Sequence, residues 1–392
     1  MRPNMARFRA MIVSHMKSFF GALPDPRVER KVDHLLIDVI VISILAVVCG
    51  AEGWDEIEDW AREWEPWLRK HLRLRRGIPG RCTYRRVFAV LDPKAFQMCF
   101  MAWAASLVGS TNGKVVAFDG KTLRGSFTGP NKSGSLHMVT AWVCENEVIF
   151  GLLATDKKSN EITAIPELLE LIEIRGATVT LDAMGCQKKI ARKILDREGE
   201  YVIAVKDNQP KLREEIETAF VTAEIAGELV APDTVVESKE VGHGRRESRK
   251  VSVLDVDGRL DPKLRWPGLR SIAMVESERT VGGKTQCETR YYISSHAANP
   301  ELLAKCIREH WKIENQQHWT LDTALDEDHC RIRSAHCPEN FGTLRRIALN
   351  LLKADKTEKK SIRRRRFRAS MNPGYLDKIL EAIGSQRLAS AA

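Results

Sequence analysis

Two apolar runs end on an aspartate: VVAFDGK around Asp119 and TVTLDAMG around Asp182. A third acid, Glu314, lies in the helical-patterned stretch HWKIENQQHWTLD. A carboxylate launched from a buried strand end is costly unless it is paired or holds a cation. Two such aspartates on adjacent strands, with a glutamate from a helix packed across them, would form an oxygen ligand set suited to hard divalent cations. Two ions about 4 Å apart can activate an attacking oxygen and stabilise a leaving one, which is the chemistry of two-metal phosphodiester enzymes. Spacing alone leaves convergence open, because strand-end aspartates also cap turns and helices.

Other chemistries fit less well. His329–Cys330 and His336–Cys337 offer four zinc-type ligands, but adjacent residues seldom both reach one tetrahedral ion. Cys186 has no marked base or oxyanion donor for a nucleophilic mechanism. The nine cysteines are scattered without a CxxC pair, which points to a reducing compartment rather than a disulfide framework.

The elements that must position the acids follow from periodicity. KVVAF, LHMVTAWVC and EVIFGLLAT read as three strands, the last two antiparallel across Glu145–Glu147. A helix is expected from a Thr163 cap with Pro166 in its first turn, leaving Ser159, Asn160 and Glu161 in the preceding loop. ATVTL is a fourth strand, Gln187–Leu195 a helix with a basic face, and YVIAV a fifth strand ending at Lys206. This order predicts an α/β fold with a mixed sheet flanked by helices. A β-rich insertion is expected at about 233–295, with a hairpin turning at Gly282–Gly283. A helical tract of about 299–322 then carries Glu314, and residues 354–392 form a basic tail expected to be solvated.

Upstream, residues 1–108 read as a helical N-terminal domain. Leu35–Cys49 is shorter than a spanning helix and contains Asp38, so a buried core helix is expected, with no membrane association and a cytoplasmic location. Trp60, Trp64 and Trp67 share one helix face, which suits a core more than a base-stacking surface. Thr83 is a candidate cap for a short helix carrying Arg85 and Arg86 after the Gly77–Pro79–Gly80 break. That arrangement suits either a helix-turn-helix in a DNA groove or a solvated basic face. The 392 residues carry 62 lysines and arginines against 52 acids, a net charge of +10 that favours a polyanionic partner.

The segments LPDPR, CGAEGW, FDGKTLRGS, DKKSNEITAIPELLELI, LDAMGCQK, VKDNQ, GHGRRESR, HWKIENQQHWTLD and RRIALNLLK resemble the H-repeat-associated, ISAs-type insertion-sequence transposases of the DDE superfamily. The resemblance runs from about Phe19 to Lys353. It implies an RNase-H-like catalytic domain over 109–353, interrupted by the β-rich insertion, and an N-terminal domain associated with this transposase group. It also implies a catalytic, metal-binding triad of Asp119, Asp182 and Glu314 holding two Mg2+ or Mn2+ ions. The expected activity is cleavage of double-stranded DNA at transposon ends and 3′-hydroxyl strand transfer into target DNA. A homodimer is expected in the working complex, since two ends must be paired. A hydrolysis-only nuclease and an inactive DNA-binding relic are the rival expectations.

Many related transposases carry a tyrosine, an arginine and a lysine around the glutamate; here His310 and Leu321 stand at the arginine and lysine positions. His310, Glu314, His318 and Asp322 fall every four residues, a helix ridge in which Asp322 either assists the metal site or makes a helix salt bridge. Lys121, Arg124, Lys206 and Asn208 are candidate phosphate contacts or surface pairs. His243 and Arg245, in a turn of the insertion, either touch DNA or keep a hairpin soluble.

Overall fold

The computed structural model describes residues 15–28, 32–126, 135–155, 161–242, 244–264, 266–357 and 359–390, with side chains described to 383. Among the described residues, a helical stretch at 15–20 comes first, followed before the first strand by Leu36–Val48 (α1), Trp54–Glu63 (α2), Glu65–Leu68 (α3), Arg81–Val90 (α4) and Pro93–Val108 (α5). The apolar run is the core helix expected: α1 buries every residue from Val39 to Val48. Among the described residues no helix is long and apolar enough to cross a membrane. Its acid is accommodated because Asp38 accepts the Leu74 N–H at 3.1 Å. The tryptophan stripe divides between α2 and α3, and its rings pack in series, Trp60 on Trp64 at 5.2 Å and Trp64 on Trp67 at 5.8 Å. Trp67 is buried, while Trp60 and Trp64 are half-buried against the core. Thr83 is not the cap of α4. The helix starts two residues earlier, because Glu58 of α2 accepts the Arg81 N–H at 2.6 Å and caps it from another element.

A nine-stranded sheet forms the rest of the scaffold, in the order β3-β2-β1-β4-β5-β9-β8-β7-β6. Val115–Thr122 (β1), His137–Val143 (β2) and Val148–Thr155 (β3) make an antiparallel meander. Thr178–Leu181 (β4) and Glu200–Val205 (β5) run parallel to β1, linked by Glu161–Leu171 (α6) and Lys188–Asp196 (α7). This order and these directions give the RNase-H-like mixed sheet that the sequence predicts. The sheet does not stop there. Pro210–Ile225 (α8) leads into Val235–Gly242 (β6), Arg245–Asp255 (β7), Ser271–Val281 (β8) and Lys284–Ser294 (β9). β9 pairs antiparallel with β5, Val202 opposite Ser294, so the insertion extends the core sheet. The roots of these strands are buried, and their far ends stand exposed as a four-stranded blade.

The helix after the blade is Pro300–Lys312 (α9), followed by a π-helical turn, Ile313–His318, and by Trp319–Leu325 (α10). Cys337–Ala354 (α11) is buried almost all round. Its Asn350 exchanges two hydrogen bonds with the Ile149 backbone, at 2.9 and 2.8 Å, and so shields the edge of β3. Its Asn340 donates to the Phe88 and Leu91 carbonyls, tying the end of α4 to the helix that shields β3. The basic tail is not a solvated run. Ile362–Met371 (α12) and Pro373–Ser390 (α13) are helices, and Arg365 and Arg366 are buried between elements. The guanidinium of Arg365 donates to Leu352 O at 2.7 Å and that of Arg366 to Val47 O at 3.1 Å. The tail arginines therefore satisfy the carbonyl ends of α11 and α1, where a helix favours a cation.

A buried ion cluster joins β1 to the helices. Arg346 of α11 pairs with Glu327 at 2.6 Å, both fully buried, and Lys121 of β1 lies 3.9 Å from the same carboxylate. Burial opposes the charge on Glu327, but Arg346 and Lys121 hold its carboxyl below the usual range. Replacing Arg346 by methionine leaves Glu327 charged without its bidentate partner. Urea unfolding should show a loss of about 3–5 kcal/mol. A variant as stable as the wild type would mean that the cluster does not hold the fold.

Candidate active site

The last paired rung of β1 and β4 sets Phe118 opposite Leu181. Asp119 and Asp182 each follow directly on that rung, so parallel register puts the two residues side by side, with strands about 4.8 Å apart. β1 continues to Thr122 along β2, but β4 stops, because Asp182 caps a 3-10 turn, Ala183–Gly185, accepting the Gly185 N–H at 3.2 Å. That turn is fixed from the loop after β5: Asn208 donates to Ala183 O at 2.6 Å and Gln209 to Cys186 O at 2.9 Å. Asn208, expected to touch DNA, is engaged in holding the Asp182 turn.

The helical tract crosses this end of the sheet. Nδ1 of His310 lies 3.0 Å from the Thr180 hydroxyl of β4, and Nδ1 of His318 lies 3.4 Å from Asp119 Oδ2. Asp322 does not pair along its own helix; it reaches Lys121 of β1 at 2.7 Å. Gln317 donates to Thr140, and Thr140 donates to the Asp119 carbonyl, so the π turn is stitched to both strands of that pair. Burial pushes His318 down to about 3 and His310 down to about 4, so both rings are neutral at neutral pH.

The acids feel one another. Burial first, then the charges of Asp182, Glu314 and Glu161, push Asp119 up to about 8 against the pull of the Gly120 N–H. Asp182 is raised by burial and by Glu161. Glu314 is raised by burial and by Asp182, while Arg290 and Lys206 pull the other way. Asp119 and Asp182 are half-buried, whereas Glu314 is exposed. Among the described residues no three acidic, histidine or cysteine side chains stand close enough to hold an ion as arranged. The donor chemistry nevertheless fits a hard divalent cation: three carboxylate groups whose mutual repulsion a cation would relieve, with Glu314 free to turn inward.

The remaining sequence-selected residues fall in different places. Lys121 is 8% exposed and bound to Asp322, Asp328 and Glu327, so it braces the helix instead of facing a phosphate. Arg124 is exposed, 3.4 Å from Asp328. Lys206 is exposed at the end of β5, close enough to lower both Asp182 and Glu314. Arg245 is exposed near the tip of the blade, 3.8 Å from Glu247, and His243 lies outside the described residues. Arg85 and Arg86 are exposed on α4, which packs on α2 and α11 rather than on the strands that carry the acids. Cys337 donates to Arg85 O and Cys186 is buried with its thiol pushed up to about 12, which leaves neither zinc nor thiolate chemistry supported.

Sequence reasoning missed Glu161 and His137. The helix α6 begins at Glu161, with Pro166 inside it, so the residue placed in a loop is a buried acid. Glu161 Oε1 lies 2.5 Å from His137 Nε2 beneath Gly120, where a side chain would have no room. Ser159 and Asn160 lie outside the described residues, but the sequence signal was available, since both are cap-type residues that precede Glu161 in the chain.

Comparison with known proteins places the chain in a family. The family model "Transposase DDE domain" matches residues 110–351 and "DDE_Tnp_1-associated" matches residues 17–104. The chain is 38% identical over 379 residues to the "H repeat-associated putative transposase YhhI" of Escherichia coli K12, covering 95% of this chain and 100% of that protein. It is also 38% identical over 377 residues to the "Putative transposase YncI" of Escherichia coli O157:H7, covering 94% and 95%. A piggyBac transposase synaptic complex with hairpin DNA aligns over 97% of this chain and 80% of that one, at 10% identity and a TM-score of 0.44. With a DDE-domain match over most of its length and relatives aligned nearly end to end, the chain belongs to the DDE transposase family.

Proposed function

We propose that this protein is an active DNA transposase, in which Asp119, Asp182 and Glu314 hold two divalent cations of the magnesium class. The observation that carries the reading is the β1–β4 register, which sets two half-buried aspartates side by side under a helix that presents Glu314. Bound there, the ions would supply the Lewis acidity that favours attack on, and departure from, a phosphodiester phosphorus. The chain's own residues do the rest. Neutral His318 meets Asp119 Oδ2 at 3.4 Å without competing as a cation, and Asn208 fixes the turn that aims Asp182. Lys121 holds Asp322, and with it the helix of Glu314, against β1.

Lys206, exposed near the acids, and Arg124, exposed just past the end of β1, would grip backbone phosphates, and Arg245 and the exposed arginines of α4 would extend the contact along double-stranded DNA. On this reading water first cuts at the transposon end, and the released 3′-hydroxyl then attacks target DNA in the same site. Residues 109–353 carry the chemistry, and two copies pair two ends.

The test uses duplexes from both flanks of the gene, with magnesium. Wild type should yield cut ends and products joined to a target plasmid. Asp119→Asn, Asp182→Asn and Glu314→Gln should each lose about 10²–10³-fold or more of both products while still binding DNA. Cut ends without any joined product would instead establish a hydrolase, and unaffected variants would remove the triad.

A second prediction concerns pH. Folded Asp119 titrates near 8, against about 4 for an unfolded aspartate. Between those values the native chain keeps a proton that the unfolded chain has lost, so stability falls as pH rises through that window. The Tm of the metal-free protein should therefore drop more from pH 5 to pH 8 than that of Asp119→Asn. Added Mn2+ should restore the wild type and leave the variant nearly unchanged. Parallel pH profiles for the two proteins would contradict the strain assigned to this carboxylate.

A further inference from the structure

Trp319 stands at the end of the π turn, and its place there is set by an unusual backbone bond. In an α-helix its N–H would bond four residues back, and its side chain would point about 140° away from that of Glu314. Here the Trp319 N–H bonds to the Glu314 carbonyl, five residues back. That bond closes one turn between the two residues and brings Trp319 round to the side on which Glu314 emerges. The outward-facing residues are then Glu314, Asn315, Trp319 and Thr323, while Ile313, Gln317, Thr320 and Leu321 face the protein.

The indole is 65% exposed. Among the described residues no ring or cation packs on it, in contrast to Trp311 of the same motif, which is covered by the Arg290 guanidinium at 4.1 Å. The helix that packs on α10, α12, also exposes two apolar residues, Phe367 and Met371, one turn apart. Tryptophan offers a large flat face, and leaving it in water beside a carboxylate is unfavourable unless something covers it in the working complex.

We propose that Trp319 stacks on a nucleobase of the substrate DNA next to the phosphodiester held at the acids. The proposal rests on the transposase reading. A phosphodiester at Asp119, Asp182 and Glu314 carries its own nucleobases, and the π turn sets an uncovered indole one turn from Glu314. Stacking on an aromatic ring tolerates any base, so Trp319 would fix the geometry of the strand rather than read its sequence. The residue acts on substrate position, not on the ions.

The experiment is a double-mutant cycle on binding, run with Ca2+ in place of Mg2+ to prevent cutting. Duplexes from the gene's flanks carry a single abasic nucleotide at each position around the cut in turn. Trp319→Ala should weaken binding of intact duplex about 5- to 150-fold. Trp319→Phe should recover most of that loss. At one abasic position, wild type and Trp319→Ala should bind equally, because the partner of the indole is gone. Mn2+ affinity and Tm should not change in either variant, which a merely structural role would not predict. If Trp319→Ala binds like wild type, or loses the same factor on every abasic duplex, the proposal fails. If the coupling appears but wild type does not cut in Mg2+, the catalytic reading fails and the stacking contact stands. If no duplex binds at all, both fail.

Discussion

The pairing of β1 with β4 is the constraint on which the rest of this molecule turns. Parallel strands cannot offset two equivalent positions once Phe118 is fixed opposite Leu181, so Asp119 and Asp182 must share one face one residue further on. Burial, first, raises the pKa of both acids; the charge of Asp182 adds to it at Asp119, and that of Glu161 at Asp182. Neutral residues would pack there more comfortably. A fold that keeps this juxtaposition carries a strained pair whose repulsion a cation would remove, which is how functional sites commonly depart from local optimum.

A second interaction keeps the helix of Glu314 in place. Lys121 follows Asp119 by two residues, so it lies on the same face of β1, and its ammonium reaches Asp322 at 2.7 Å and Asp328 at 2.9 Å. Arg346 closes the cluster from α11 through Glu327. The central helix, the strand of the first aspartate and the helix of the glutamate are thus linked by buried charges. Such a cluster adds little net stability compared with a well-packed apolar one, but it is demanding in geometry. Its position beneath the acids places that geometric demand where the three carboxylates must be aligned.

The strands that lead to Asp119 and Asp182 and the hairpin turning at Gly282–Gly283 were legible in the sequence because period-2 alternation and turn glycines are local signals. What the sequence concealed came from partners far along the chain. Glu58 caps α4 in place of Thr83, since a carboxylate from another helix serves as well as a local hydroxyl. Arg365 and Arg366 look like a solvated run until α1 and α11 present carbonyls to them. Lys121 looks like a phosphate contact until Asp322, Glu327 and Asp328 surround it. Glu161 was lost for a local reason, because a Thr163 cap with Pro166 in the first turn fits the local pattern, whereas the helix already begins at Glu161 and carries Pro166 inside it.

The departures at His310 and Leu321 also find their physical sense. Leu321 is fully buried, so a lysine there would have to carry its ammonium into the core. His310 is half-buried beside Thr180 and held neutral, so it brings no charge to the ridge. Positive charge near Glu314 is supplied instead from the sheet, by Arg290 on β9 and Lys206 at the end of β5, both of which lower its pKa. β9 pairs directly with β5, so the insertion brings Arg290 to this side of the site through the backbone pairing itself. The blade is therefore more than an appendage between the second aspartate and the glutamate: its innermost strand delivers the cation that the helix lacks.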